Sequence, residues 1–383
     1  MKILVLGAGL VGGPIAMDLA KDGEFEVISA DICPDALDKL KGIPGISVRQ
    51  EDLGLEAAVR DLAMEADLVV NAVPGFMGYK TVETLIDCGK DIIDIAFFPE
   101  DMFGLDDKAR AKGVTVICDM GVAPGMSNVL LAYGASMLDT LEKGIIYVGG
   151  LPVVRTWPYE YKAVFSPIDV IEEYTRPARF IRDGKLVIKE ALSDPELIDF
   201  SGVGTLEAFN SDGLRTLATT LTGDYIIEKT LRYPGHIEKM AILRDTGFFS
   251  RQPVSIGGTE IVPLDFTTKL LFPKWKLEKG EEDLTVMRII AEGLKDGSRR
   301  RYTWDLLDRL DPLTGIHSMA RTTGYAATMA VRMVSGGLYT RKGVSAPEFI
   351  GRDAGLVSFM LEGLRRRGIT YRETDEGGVN PKS

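Results

Sequence analysis

The chain opens with a short apolar run, KILVLGA, which breaks into Gly7-Ala8-Gly9-Leu10-Val11-Gly12, continues through PIAMDLAKDG, and re-enters an apolar run, EVISAD, that ends at Asp31. This stretch constrains the fold more than any other. Apolar strand, glycine turn, amphipathic helix and second strand make a βαβ unit, and the three glycines have separate tasks. Gly7 permits the tight turn out of the strand, Gly9 lets the backbone approach a pyrophosphate, and Gly12 lets helix and strand pack closely. Leu10 and Val11 lead into the helix whose N-terminus faces the phosphates. Asp31 stands roughly 20 residues beyond Gly12, where a dinucleotide fold places its ribose-binding acid.

A carboxylate in that place accepts hydrogen bonds from a ribose 2′-hydroxyl and repels a 2′-phosphate, so the cofactor expected is NAD rather than NADP. The following residues, ICPDALDKL, supply no cation before Lys39. A helix N-cap or turn aspartate is the competing reading of Asp31. The opening residues also have the apolar and small-residue texture of a signal peptide. The helix and second strand that follow argue against that reading, and no run of 18 or more apolar residues occurs.

Beyond Asp31 the alternation persists. GISVRQED, ADLVVNAVP, KDIIDIA and VTVICDMG read as short apolar strands separated by helical segments such as LEAAVRDLAME and YKTVETLIDCG. The expected fold is α/β, a Rossmann-type doubly wound parallel sheet with a second α+β domain. In such sheets ligands lie beyond the carboxyl ends of the strands. That places Asp52 and Leu53 beside the adenine, Asn71, Ala72, Val73 and Pro74 on the nicotinamide side, and Asp94, Asp119, Gly121 and Ala123 around the same crevice.

Composition removes other classes. The 383 residues carry a net charge of -11, which disfavours nucleic acid and anionic membranes as partners, since phosphate binding needs clustered Lys and Arg. Cys33, Cys88 and Cys118 are widely spaced and form no CxxC pair, so reduced thiols, a cytoplasmic location and no metal site are expected.

Near residue 122 the texture changes to strand-like, turn-rich sequence, including GIIYVGGLPVVRTWP, RFIRDGKLVIKE and TTKLLF. GIHSMARTTGYAATMAVRMVSGG then reads as a long buried helix and TYRETDEGGVNPKS as a solvated end. The domains expected are 1–122 for the nucleotide, 123–314 for substrate and dimerisation, and 315–383 as a C-terminal segment.

Five blocks, GAGLVG, DMGVAPGMSN, GGLP with YEYKAVFSP, GTLEAFNSDGL, and TLRYPGH with KMAILRDTGFF, span nearly the whole chain. Together they resemble the saccharopine dehydrogenase family, most closely its L-lysine 6-dehydrogenase branch. The resemblance implies that the C-terminal segment returns to the nucleotide domain, that the middle domain builds a homodimer, and that an amino-acid substrate lies in the cleft between domains.

Oxidising an amine carbon needs a nicotinamide, a base that keeps the amine neutral, and water to attack the imine. Lys162, His236 and Asp94 are the catalytic candidates, beside Tyr161 and Asp119. Arg232 offers a bidentate fork to a carboxylate, and Glu207, Asn210 or Asp212 offer oxygens to an ammonium. Tyr161 and Asn128 complete the substrate candidates. Each has a plain alternative: Lys162 as a solvated strand lysine, His236 as support for the Pro-Gly turn, Asn128 as a helix cap.

The leading expectation is NAD-dependent oxidative deamination of the L-lysine side chain to the semialdehyde, with ammonia release. A saccharopine-type secondary-amine dehydrogenase needs more cations, which Arg155, Arg176, Arg179 and Arg215 can supply. A non-catalytic NAD(H) sensor or scaffold is the alternative of another class.

Overall fold

The computed structural model describes residues 1–164, 166–278 and 280–377, and the chain divides into two compact units, Met1–Tyr133 with Ala320–Thr370, and Gly134–Met319 with the stretch from Tyr371. The first unit is built on seven parallel strands. Lys2–Leu6 lies between Glu26–Asp31 and the central strand Leu68–Asn71. The chain winds one way to Ile46–Gln50 and the other way through Asp91–Asp94 and Thr115–Ile117 to Gly343–Ser345. Ile3, Leu4, Val5 and Leu6 are all fully buried, as a parallel sheet covered on both faces requires. The order reverses between the strands Lys2–Leu6 and Leu68–Asn71, so the topological switch point falls at the glycine turn.

The later part of this unit is tied to its first helix, Gly12–Ala20, by one buried carboxylate. Asp18 accepts from Thr328 Oγ1 at 2.6 Å, Arg332 Nη1 at 3.0 Å and Arg367 Nε at 2.7 Å.

The second unit carries a nine-stranded mixed sheet. Its path runs Glu196–Phe200, Gly204–Asn210, Tyr225–Arg232, Thr140–Pro152, Asp283–Lys295, Ser298–Arg309 and Tyr371–Gly377, and a hairpin, Ala178–Arg182 with Lys185–Lys189, joins the side of Tyr225–Arg232. Tyr225–Arg232 is parallel to Thr140–Pro152, and the remaining neighbours are antiparallel. The hairpin in RFIRDGKLVIKE turns on Asp183 and Gly184, both at positive φ, the two-residue geometry that suits the right-handed strand twist.

One expectation is corrected here and one is refined. TTKLLF is helical, within Pro263–Trp275, because Leu264, Thr267, Leu271 and Trp275 recur at helical spacing on the buried face and Pro263 starts the first turn. The end that reads as solvated is exposed over residues 372–377, yet it also pairs as the edge strand Tyr371–Gly377, and residues 378–383 of that stretch lie outside the described residues. Its acids need no apolar alternation, since Glu373 accepts from Trp304 Nε1 at 3.2 Å and Asp375 pairs with Arg300 at 3.1 Å.

Candidate functional site

In the first unit the glycine turn has one open side. A Cβ on Gly7, whose φ is +95°, would lie 2.5 Å from the carbonyl oxygen of Ala72, and one on Gly12 would overlap the carbonyl of Gly7. A Cβ on Gly9 would meet nothing within 4 Å. Gly7 and Gly12 are therefore demanded by packing, whereas Gly9 leaves free space in front of a helix N-terminus, as a pyrophosphate needs. Leu10 is exposed beside that space, and Val11 precedes the first helical turn.

Asp31 is bound into the same turn. Its Oδ2 accepts from the Ala8 amide at 2.6 Å and its Oδ1 from the Cys33 amide at 2.8 Å, so each oxygen keeps lone-pair capacity for a hydroxyl. The N-cap alternative fails as a side-chain cap, because the helix Pro34–Asp38 has Cys33 as its N-cap and receives no side-chain bond there. Ile32, next in the chain, is exposed, and Arg49 near the end of the neighbouring strand is committed to Glu65 at 3.1 Å. The residues fit a dinucleotide.

Along the same sheet edge, Asn71 donates from Nδ2 to Asp94 Oδ1 at 2.7 Å, both side chains being fully buried. Ala72 donates its amide to the Leu6 carbonyl, Val73 packs into the core, and Pro74 caps the helix Gly75–Asp87. Asp52 accepts the Gly54 amide at 2.9 Å while Leu53 leans on the core. Met120 is anchored by its amide to the Asp94 carbonyl at 2.9 Å, which holds the segment containing Gly121 and Ala123 against the ends of the strands. Asn128 is buried and engaged at both ends of its amide, donating to Glu348 at 3.2 Å and accepting from Ser127 Oγ at 3.0 Å and the Gly125 amide at 3.3 Å. This is the geometry of a turn-stabilising residue.

The TLRYPGH cluster lies in the second unit and is a buried polar knot. Arg232 is 2% exposed, and its guanidinium donates through Nε to Tyr174 Oη at 3.0 Å, through Nη1 to the Leu231 carbonyl at 2.9 Å, and through Nη2 to Glu173. The ring of Tyr161 lies 4.5 Å from its guanidinium carbon. His236 contacts Tyr174 Oη through Nε2 at 3.0 Å and the Tyr159 carbonyl through Nδ1 at 2.8 Å. Burial, reinforced by the charge of Arg232, pushes its pKa down to about 3, so the ring is neutral near pH 7. Burial also lifts the Tyr161 hydroxyl well above the usual range.

Glu207 pins the turn by accepting the Gly235 amide at 3.0 Å, and Gly235 itself needs its φ of +87°. Asn210 points elsewhere, to Ser193 Oγ at 3.1 Å and Asp194 at 3.0 Å. Lys162 is half-buried and not free: its Nζ donates to the Lys276 carbonyl at 3.0 Å and pairs with Glu281 at 3.2 Å.

Several residues of this knot escape sequence reasoning. Glu173 and Tyr174 sit in a stretch whose pattern announces only a helix, and Trp275 belongs to the helix misread as a strand. Glu228 is the exception with a visible signal, a charge inside the apolar strand YIIEKTLR. It is buried, accepts from Ser211 Oγ at 2.8 Å and the Gly213 amide at 3.1 Å, and burial raises its pKa to about 8, with Glu173 and Asp212 adding to the shift. Among the described residues, no group of three or more His, Cys, Asp or Glu could hold a metal ion, and no helix is long and apolar enough to cross a membrane.

Two family sequence patterns cover most of the chain, the saccharopine dehydrogenase NADP binding domain over residues 3–117 and the saccharopine dehydrogenase C-terminal domain over residues 121–369. The chain is 23% identical to the mitochondrial alpha-aminoadipic semialdehyde synthase of Mus musculus, across 97% of this chain and 47% of that protein. It thus spans about half the length of such relatives. It is also 23% identical to the saccharopine dehydrogenase (NADP(+), L-glutamate-forming) of Schizosaccharomyces pombe, across 97% of this chain and 98% of that one. Among solved structures, the apo saccharopine dehydrogenase (L-Glu forming) of Saccharomyces cerevisiae superposes with a TM-score of 0.81 at 19% identity, covering 98% of this chain and 99% of that chain, which establishes the shared fold.

Proposed function

From the premise that this chain belongs to the saccharopine dehydrogenase family, we propose that it is an NAD-dependent oxidoreductase that deaminates the side-chain amine of L-lysine, by way of an imine, to the semialdehyde and ammonia. The observation that carries the cofactor half is the open side of Gly9 beside a carboxylate, Asp31, with Ile32 exposed next to it and Arg49 paired to Glu65. When bound, a nicotinamide nucleotide supplies the hydride acceptor.

The chain's own residues hold and orient. Gly9 and the N-terminus of the helix Gly12–Ala20 receive the pyrophosphate, Asp31 the ribose hydroxyls, and Asn71 to Pro74 the far end. Asp94 fixes the amide of Asn71 through a bond between two buried groups, which makes Asp94 a positioning residue. Lys162, paired with Glu281, is the acid–base group that this reading retains, since the carboxylate can steady the ammonium while the amine accepts a proton. Arg232 and His236 shape the substrate side by holding the turn and the helix Pro167–Thr175 in place. The free fork that an incoming carboxylate would need is filled by Glu173 and Tyr174.

A second reading, a saccharopine-type enzyme using NADP, is favoured by the likeness to the Schizosaccharomyces pombe saccharopine dehydrogenase (NADP(+), L-glutamate-forming). An absorbance screen of NAD and NADP against L-lysine and saccharopine decides between the two. Reduction of NAD by lysine supports the first reading, and reduction of NADP by saccharopine alone overturns it. Asp31→Ser with Ile32→Arg is expected to narrow or invert the preference for NAD.

A further inference from the structure

Eight described non-glycine residues have positive φ, and Phe97 is the one aromatic among them, at +52°. Isolated left-handed residues are usually Gly, Asn or Asp, whose side chains tolerate the crowding, so a bulky ring in this region is an outlier that the surrounding structure must hold in place. Phe97 follows the strand Asp91–Asp94 by three residues, at the carboxyl edge of the parallel sheet, and is half-buried.

Its neighbours treat it differently. Phe98 is fully buried and meets Tyr79 edge to face at 5.6 Å. Gly75, at the start of the helix Gly75–Asp87, lies so close to this segment that a Cβ would sit 2.9 Å from the Ala96 carbonyl oxygen and 3.1 Å from that of Phe97. The next residue in that helix, Phe76, is 80% exposed. Two phenylalanines thus stand on adjoining segments beyond the neighbouring strands Leu68–Asn71 and Asp91–Asp94, one strained and one bare to solvent. Burial of Phe98 explains the turn, and a glycine at 97 would make that turn without strain. The strain is therefore kept for the ring at 97, which has a second ring, at 76, on the adjoining segment.

We propose that Phe97 and Phe76 form an apolar wall at the nicotinamide end of the cofactor crevice, keeping water from the ring and receiving the methylene stem of the amine substrate. The inference rests on the dinucleotide-binding reading above. An apolar lining is the usual construction of such sites, and here the buried Asn71–Asp94 pair braces the strand ends behind it.

The test uses NADH itself as the probe, so it needs no amino-acid substrate. Fluorescence titration of the wild type, Phe76→Ala, Phe97→Ala and Phe97→Gly gives the affinity and the emission maximum of the bound nicotinamide, and thermal melts report folding. Wild-type protein is expected to bind NADH with blue-shifted emission. The variants are expected to bind within about threefold of it, with emission moved toward that of free NADH. Phe97→Gly should melt no lower than Phe97→Ala, because glycine alone accepts the left-handed backbone freely. Phe76→Ala removes an exposed ring and leaves the fold undisturbed. Unchanged emission in all three variants, or a wild-type complex that emits as free NADH does, overturns the wall while leaving the cofactor site standing. Absence of NADH binding by folded wild-type protein overturns both.

Discussion

The hydroxyl of Tyr174 lies 3.0 Å from Nε2 of His236. Tyr174 already accepts the Nε–H of Arg232 at 3.0 Å, so its own proton points at the imidazole, and His236 must carry its hydrogen on Nδ1 to reach the Tyr159 carbonyl. A second proton would have nowhere to go. Burial and the adjacent guanidinium accordingly push the pKa down to about 3. Between the usual value near 6.5 and about 3, the unfolded chain binds a proton that the folded one refuses. Stability therefore falls as pH falls through that window, by at most about 1.4 kcal/mol per pH unit. Nitrogen NMR of the two imidazoles should show one ring as the neutral Nδ1–H tautomer down to about pH 5. Titration of both rings above that pH would remove the arrangement.

Glu228 predicts the opposite slope. Its pKa, raised to about 8 chiefly by burial, exceeds the unfolded value near 4.5, so the folded state holds a proton the unfolded state has lost. The associated stability is complete below about pH 4.5 and is lost as pH rises toward 8. Glu228→Gln keeps an acceptor for Ser211 and Gly213 without the titration. Melts across this range should show the variant gaining on the wild type as pH rises, and parallel curves would refute the buried neutral acid.

Asp18 is the third case, and here charge is paired. Removing its charge leaves Arg332 and Arg367, both largely buried, without their shared carboxylate. Asp18→Asn is expected to cost about 3–5 kcal/mol in urea unfolding, the usual result of breaking a buried ion pair from one side. A loss under about 1 kcal/mol would mean that Glu24 and Asp22, which already lie 3.2 Å from Arg332 and 3.7 Å from Arg367, carry the two arginines without it.

The nucleotide fold was legible because each of its signals is local: glycines at a turn, apolar runs of strand length, an acid at a fixed offset. Asp31 and the glycines stand together in the structure for that reason. The second unit resisted because its polar contacts join residues far apart in sequence. Arg232 and His236 stood out as a reactive pair in TLRYPGH, yet what decides their chemistry is Glu173, Tyr174 and Tyr159, roughly 60 to 80 residues earlier. Edge pairing likewise set the fate of Tyr371–Gly377, whose composition alone indicates solvent.

The two glycines of the turn give the last prediction, because they differ in what surrounds them. Gly9 faces open space and has no positive φ, so a Cβ there meets no protein atom within 4 Å, and the fold of Gly9→Val should melt within a few degrees of the wild type. The same branched side chain would fill the volume assigned to the pyrophosphate, and NAD affinity should fall at least about 100-fold, some 2.7 kcal/mol. Gly12 is the converse. Even Gly12→Ala drives a methyl into the Gly7 carbonyl, so the helix must shift from the strand and the melting temperature should drop clearly. Calorimetric titration with NAD, alongside thermal melts of both variants, separates cradle from packing. If Gly9→Val keeps its NAD affinity, the turn is not where the phosphates bind. If Gly12→Ala melts as the wild type does, the close helix–strand contact is not what holds the turn in shape.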